Sequence, residues 1–199
     1  VNGMINYAYA IEYQNKTEAL EYFQRAADHC VKDEAKIYAD RIVSTKRKEA
    51  INYYTISFAH QSYLAGEKLG DINKETCYTH EAIDYYQTSL ALCPNQSIRD
   101  RLKYKIAAAF LSLYNQDNDL NHLYQSYYYL HSIQSETETT EVVDLKKVVE
   151  SSLGQDDIIR LNAALSSLED ASVANKSKPT TPSPSNVVDP SNKDVQSTT

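Results

Sequence analysis

Between Thr79 and Leu113 the apolar residues recur at intervals of three and four. Ile83, Tyr86, Leu90 and Cys93 thereby share one face of a helix. Pro94 ends that run, having no N–H to extend the ladder and restricting the residue before it. Ser97 is placed to cap a second helix, along which Ile98, Leu102, Ile106, Ala109, Phe110 and Leu113 keep the period. Helices joined by so short a turn fold back antiparallel, and neither buries its face alone. Leu90 and Phe110 are expected in the core the two helices share.

The same periodicity covers most of the chain. Met4 to Tyr13 reads as the end of a helix, so that Val1 stands in mid-helix, as in a fragment of a longer repeat protein. Asn15 and Glu18 form a capping pair for a helix whose inward face is Leu20, Phe23, Ala27 and Cys30. Asp33 to Val43 is a further helix, with Ala35, Tyr38 and Ile42 inward. Thr45 to Leu69 reads as one long helix carrying Ile51, Tyr54, Phe58, Ala65 and Leu69, closed by a Gly70 cap, with Asp71 to Thr76 as a loop. After a loop at 115–119, Leu120, Leu123, Tyr127, Leu130 and Ile133 define another helix. Val142, Leu145, Val148 and Val149 begin one that Gly154 ends. Asp156 is placed to cap the last, with Ile158, Leu161, Leu165 and Leu168 on one face.

The expected fold class is all-α: antiparallel helical hairpins stacked as a right-handed superhelix, with a disordered C-terminal tail. The expected division is a helical-repeat domain over 1–134, an acidic linker over 135–141, a C-terminal helical pair over 142–174 packing on the repeats, and a tail over 175–199. Ser, Thr, Pro, Asn and Lys dominate that tail, and no apolar period survives in it to offset the entropy of ordering.

Composition narrows the function. Only 4 Gly are present and four of the 5 Pro follow Lys178, so the turn residues of a β-sandwich or barrel are missing. A net charge of -7 opposes nonspecific binding to nucleic acid or anionic membrane, and Lys46, Arg47 and Lys48 read as solvated charges at a helix start. Cys30, Cys77 and Cys93 are odd in number and far apart, unlike a disulfide framework or a zinc site. No apolar run reaches the roughly 20 residues of a membrane span, and no signal segment opens the chain. The expectation is therefore a cytoplasmic location without membrane insertion, which makes the Asn15, Asn95 and Asn175 glycosylation sequons chance matches.

Ala82, Tyr86 and Pro94 stand where tetratricopeptide repeats (TPR) place a small residue, an aromatic and a closing proline in their second helix. In an earlier segment Ala19 and Phe23 repeat the small-to-aromatic offset, with Ala26 following one turn on. The chain resembles that family in these two second helices; the Trp and Leu-Gly pair of the repeat's first helix are absent, and the stretch before Asp71 is long for a 34-residue unit. The resemblance implies a superhelical scaffold that binds a peptide or helix of another protein in a groove lined by first helices. Those are expected to start at Thr45 and Ser97, which makes Asn52, Tyr53, His60, Arg101, Tyr104 and Lys105 the candidate partner-binding residues. Arg101 and Lys105, one turn apart, suit a peptide carboxylate.

Catalytic motifs are missing: there is no GxxxxGK[ST], GxGxxG, HExxH or GxSxG. The five histidines lie on different segments, and no cofactor or metal is expected. The Tyr53-Tyr54, Tyr85-Tyr86 and Tyr127-Tyr128-Tyr129 groups place neighbouring rings on different helix faces, one inward and another near the surface. Thr181-Pro182 and Ser183-Pro184 are candidates for proline-directed phosphorylation. A vesicle-trafficking adaptor similar to the soluble NSF attachment proteins, whose architecture is comparable, is the alternative reading. A microtubule-interacting-and-trafficking module, to whose middle helix EAIDYYQTSLAL is similar, and a helical enzyme without a recognisable motif come after it.

Overall fold

The computed structural model describes residues 1–29, 32–134 and 139–176, with side chains up to 167. Ten helices and no strand occur among them: α1 (Asn2–Ile11), α2 (Lys16–His29), α3 (Asp33–Ile42), α4 (Arg47–Ala59), α5 (Tyr63–Glu75), α6 (Thr79–Leu92), α7 (Gln96–Asp117), α8 (Leu120–His131), α9 (Thr140–Ser152) and α10 (Gln155–Lys176). Each helix from α1 to α8 packs on the next, as short connections between helices require. Two compact units divide the chain, Val1–Leu161 and Asn162–Thr199. Cys30, residues 135–138 of the linker and the tail from 177 on lie outside the described residues.

Four helices repeat one buried pattern at i, i+4 and i+7. It reads Ala19, Phe23, Ala26 in α2; Ala50, Tyr54, Ser57 in α4; Ala82, Tyr86, Ser89 in α6; and Leu123, Tyr127, Leu130 in α8. All twelve residues are at most 1% exposed. That spacing keeps the three on one helical face, from which Phe23, Tyr54 and Tyr86 each reach the preceding helix. The second helices are thus α2, α4, α6 and α8, and each pairs with the helix before it. The architecture is a TPR-like succession of helical hairpins.

The expected helix over Thr45 to Leu69 is two helices. His60 caps α4, Gln61 turns with φ 65°, and Ser62 leads into α5, which runs on to Glu75. The apolar period persists across the break, so periodicity alone cannot reveal it. Gly70 is accordingly no cap. It lies inside α5, where a Cβ would stand 2.4 Å from the Tyr86 ring, while one on Gly66 would stand 2.2 Å from Ser89 Oγ and 2.5 Å from the Phe58 ring. These glycines let α5 approach α6 closely.

Caps also differ from expectation. Asn95, rather than Ser97, caps α7 by accepting from Ile98 N at 3.1 Å. Gly154, rather than Asp156, opens α10, its carbonyl taking the Asp157 and Ile158 N–H groups at 3.1 Å. The Asn15–Glu18 pair is present: Asn15 accepts from Glu18 N at 3.2 Å and donates to its carboxylate at 3.0 Å. Two of the three sequon asparagines are therefore helix caps. At the end of α6, Arg99 donates to the Leu90 and Cys93 carbonyls at 2.8 and 3.2 Å, satisfying acceptors that the helix end leaves open. Leu90 on α6 and Phe110 on α7 are half-buried against the core rather than within it.

Candidate functional site

Charged residues of the first helices α1, α3, α5 and α7 bridge from one hairpin to the next. Arg41 on α3 grips Glu12, just past α1, with Nε and a terminal nitrogen at 2.9 and 3.2 Å. Arg101 on α7 grips Glu67 on α5 in the same two-pronged way, at 2.8 and 2.7 Å. One turn on, Lys105 reaches Glu67 at 2.8 Å and both oxygens of Asp71 at 2.7 and 2.8 Å. Burial alone would push the Glu67 carboxyl up, but the hydrogen bonds from Arg101 and Lys105 overcome it and hold the group below the usual carboxylate range.

Two hairpins add a phenol to this layer. Tyr54 OH donates to Asp40 at 2.7 Å and Tyr86 OH to Asp71 at 2.8 Å, each from the second helix to its own first helix. Burial and then the adjacent carboxylate push both phenols up, so they remain protonated donors. In the first hairpin the corresponding pair is Tyr9 and Phe23, packed edge to face at 5.2 Å.

Between α3 and α5 no ion pair crosses among the described residues. A cleft of about 410 Å³ lies there instead, lined by Asp40, Val43 and Ser44 on one side and Lys68, Asp71, Ile72 and Glu75 on the other, with Tyr54 and Arg47 completing it. Its charges are mostly committed: Asp40 holds Lys36 at 2.6 Å, Arg47 holds Glu75 at 2.8 Å, and Asp71 holds Lys105. Lys68 is exposed and makes no ion pair or hydrogen bond with a described residue. The cleft therefore offers a part-apolar surface, an available ammonium and a polar rim, which suits recognition rather than bond chemistry.

The candidate residues from the sequence fall on two surfaces. Arg101, Tyr104 and Lys105 lie on the first helix α7, where the two cations meet Glu67 and Asp71 of the chain itself. Asn52 and Tyr53 lie on α4, and His60 caps it. Because the Thr45–Leu69 segment divides, α4 is a second helix, and the first helix of that region is α5. Tyr53 is half-buried, donates to Asp28 at 2.8 Å and packs edge to face on Tyr38 at 4.9 Å; Asn52 and His60 are exposed. In the tyrosine groups, Tyr54, Tyr86 and Tyr127 are buried while Tyr53 and Tyr85 are half-buried and Tyr128 is exposed. Lys46 and Arg47 pair with Glu49 and Glu75 at 3.2 and 2.8 Å, and all three basic residues of that run are exposed.

Glu67, Asp71, Asp40 and Lys68 were not among the expected site residues. For Asp40 and Asp71 the signal was the repeated interval of 14 or 15 residues from Asp40 to Tyr54 and from Asp71 to Tyr86, hidden by reading 45–69 as one helix. Among the described residues no group of three or more His, Cys, Asp or Glu is placed to hold a metal ion, and no helix is long and apolar enough to cross a membrane.

No protein-family model matches the chain, and no curated protein matches it. Among solved structures, the chain is similar to a protective antigen present in uropathogenic Escherichia coli strains, described as displaying an SLR fold. Identity is 14% and the TM-score 0.42, over 96% of this chain and 50% of the other; the chain thus spans half the length of that neighbour.

Proposed function

We propose that this protein is a non-enzymatic scaffold or adaptor of the cytoplasm that binds a peptide or helix of a partner protein across its first-helix face. The observation that carries the reading is the α3–α5 cleft. Bridging ion pairs tie α1 to α3 and α5 to α7, whereas among the described residues none joins α3 to α5 and Lys68 has no ion pair. Val43 and Ile72 supply apolar contact, and Lys68 supplies a cation for a carboxylate of the partner. Tyr104 and the half-exposed side chain of Arg101 extend this face along α7. The proposal keeps the division into 1–134, 135–141, 142–174 and 175–199, and assigns Thr181 and Ser183 as phosphorylation sites.

Affinity capture with the full chain, followed by mass spectrometry, tests the reading. Lys68→Glu and Ser44→Arg change exposed cleft residues and should leave the helical circular dichroism signal intact. Loss of the captured partner in both variants supports the cleft. A partner retained at wild-type yield by both would exclude it.

A further inference from the structure

A second cleft, of about 240 Å³, opens on the opposite set of helices, between α4 and α6. Phe58, Glu81, Asp84, Tyr85 and Thr88 line it. The four α6 residues fall at i, i+3, i+4 and i+7, so a single helical face presents them together. Phe58 and Tyr85 stand edge to face with centroids 5.3 Å apart, both half-buried. Glu81 and Asp84 are exposed, and neither has an ion pair or hydrogen bond with a described residue. In this they differ from Asp40, Glu67 and Asp71, whose charges are all answered within the chain.

The inner side of the aromatic wall is also unusual. Ser89 is fully buried, and its Oγ is the one buried side-chain polar atom without a hydrogen-bond partner among the described residues. A Cβ on Gly66 would stand 2.2 Å from that oxygen and 2.5 Å from the Phe58 ring, so hydroxyl and ring crowd the same point. The Ser89 hydroxyl thus lies behind the Phe58 ring, on the α5 side, and is not part of the cleft lining.

We propose that this cleft binds the cationic side chain, arginine or lysine, of a basic peptide segment. Two aromatic rings provide a quadrupole and apolar contact for the methylenes, and the uncommitted carboxylates provide the countercharge. An anion or a purely apolar side chain would leave Glu81 and Asp84 unanswered, and a nucleic acid would meet them with like charge. The site is separate from the α3–α5 cleft and does not depend on it.

Nuclear magnetic resonance on the full chain tests the assignment, with acetyl-Ala-Arg-Ala-amide, acetyl-Ala-Lys-Ala-amide and acetyl-Ala-Glu-Ala-amide as probes. The arginine and lysine peptides should produce saturable shifts at Tyr85 and Thr88 that weaken as salt is raised, and the glutamate peptide should produce none. Glu81→Gln combined with Asp84→Asn should weaken the arginine response about tenfold or more while the remaining spectrum keeps its dispersion. Lys68→Glu should leave the response unchanged, which separates this site from the first-helix face. Absence of saturable shifts, an equal response to the glutamate peptide, or an undiminished response in the double variant would each overturn the proposal.

Discussion

In the α5–α6 hairpin the helices meet over Gly66 and Gly70, and the space those glycines leave is filled by Ser89 and the Tyr86 ring. In the α7–α8 hairpin the helices meet where Ser126 reaches Ala107, and Leu123 and Leu130 of α8 are fully buried, while Leu102 and Ile106 of α7 join the core that α6 shares. The first hairpin gains close approach and a buried polar bond, Tyr86 to Asp71. The second gains apolar volume, with one hydroxyl bond, Ser126 to the Ala107 carbonyl at 2.9 Å. Its N-terminal end is held by another buried pair: Lys103 donates to the Ser132 carbonyl, and Asp100 accepts from Gln134 N at 3.2 Å. Burial pushes the Lys103 ammonium down against the pull of Asp100. On the glycine-bearing hairpin Asp71 meets the Tyr86 hydroxyl and Glu67 meets Arg101 and Lys105 of α7.

Truncation sets the upper bound for that difference. Tyr86→Ala removes a ring that is 1% exposed and also unpairs Asp71, so it should cost about 3–5 kcal/mol in urea unfolding. A cost below about 1 kcal/mol would mean that the ring does not hold the hairpin together. Gly70→Ala should destabilise by about 1–3 kcal/mol, because the new methyl collides with that ring. This reverses the gain of about 1 kcal/mol that alanine normally brings to a helix interior. A stabilised variant would show that α5 can draw back from α6. In the apolar hairpin, Phe110→Ala should cost about 1–2 kcal/mol, less than a fully buried ring, since Phe110 is only half-buried beside His122 and Tyr129. A loss above about 3 kcal/mol would place it in the core.

Smaller effects distinguish the polar contribution. Tyr86→Phe and Tyr54→Phe each delete one hydroxyl while keeping the ring, and each should cost about 0.5–1.5 kcal/mol. Equal stability in both would reduce the repeated tyrosine–aspartate bond to a by-product of ring packing. Acid should act on Glu67. Its folded carboxyl titrates below the ordinary value, so the stabilisation it supplies is complete above that ordinary value. That part is lost as pH falls through the folded one. Glu67→Gln should show a shallower loss of stability over that acidic window than the wild type; identical slopes would remove Glu67 as a contributor.

The chain's own pattern of residues determined that it is helical. It also determined where most inward faces lie and that α2 and α6 carry the same small–aromatic–small motif, because these are local consequences of a 3.6-residue period and of side-chain size. The break at Gln61 was illegible, since Ser57, Phe58 and Ala65 keep the phase through a three-residue turn that contains neither Gly nor Pro. That one join concealed a repeat: with it, α4 becomes a second helix, α5 a first helix, and Gly70 a packing position instead of a cap. Arg101 and Lys105 were recognisable as a cationic pair that seeks carboxylates. Which carboxylates they meet is decided by tertiary structure, because Glu67 and Asp71 lie 34 positions earlier and reach them only when α5 and α7 are stacked by the intervening helix. Lys68, Glu81 and Asp84, whose charges find no ion-pair partner among the described residues, are of the same kind. A side chain's charge is written in its sequence, but whether that charge is available to a partner depends on every neighbour the fold brings to it.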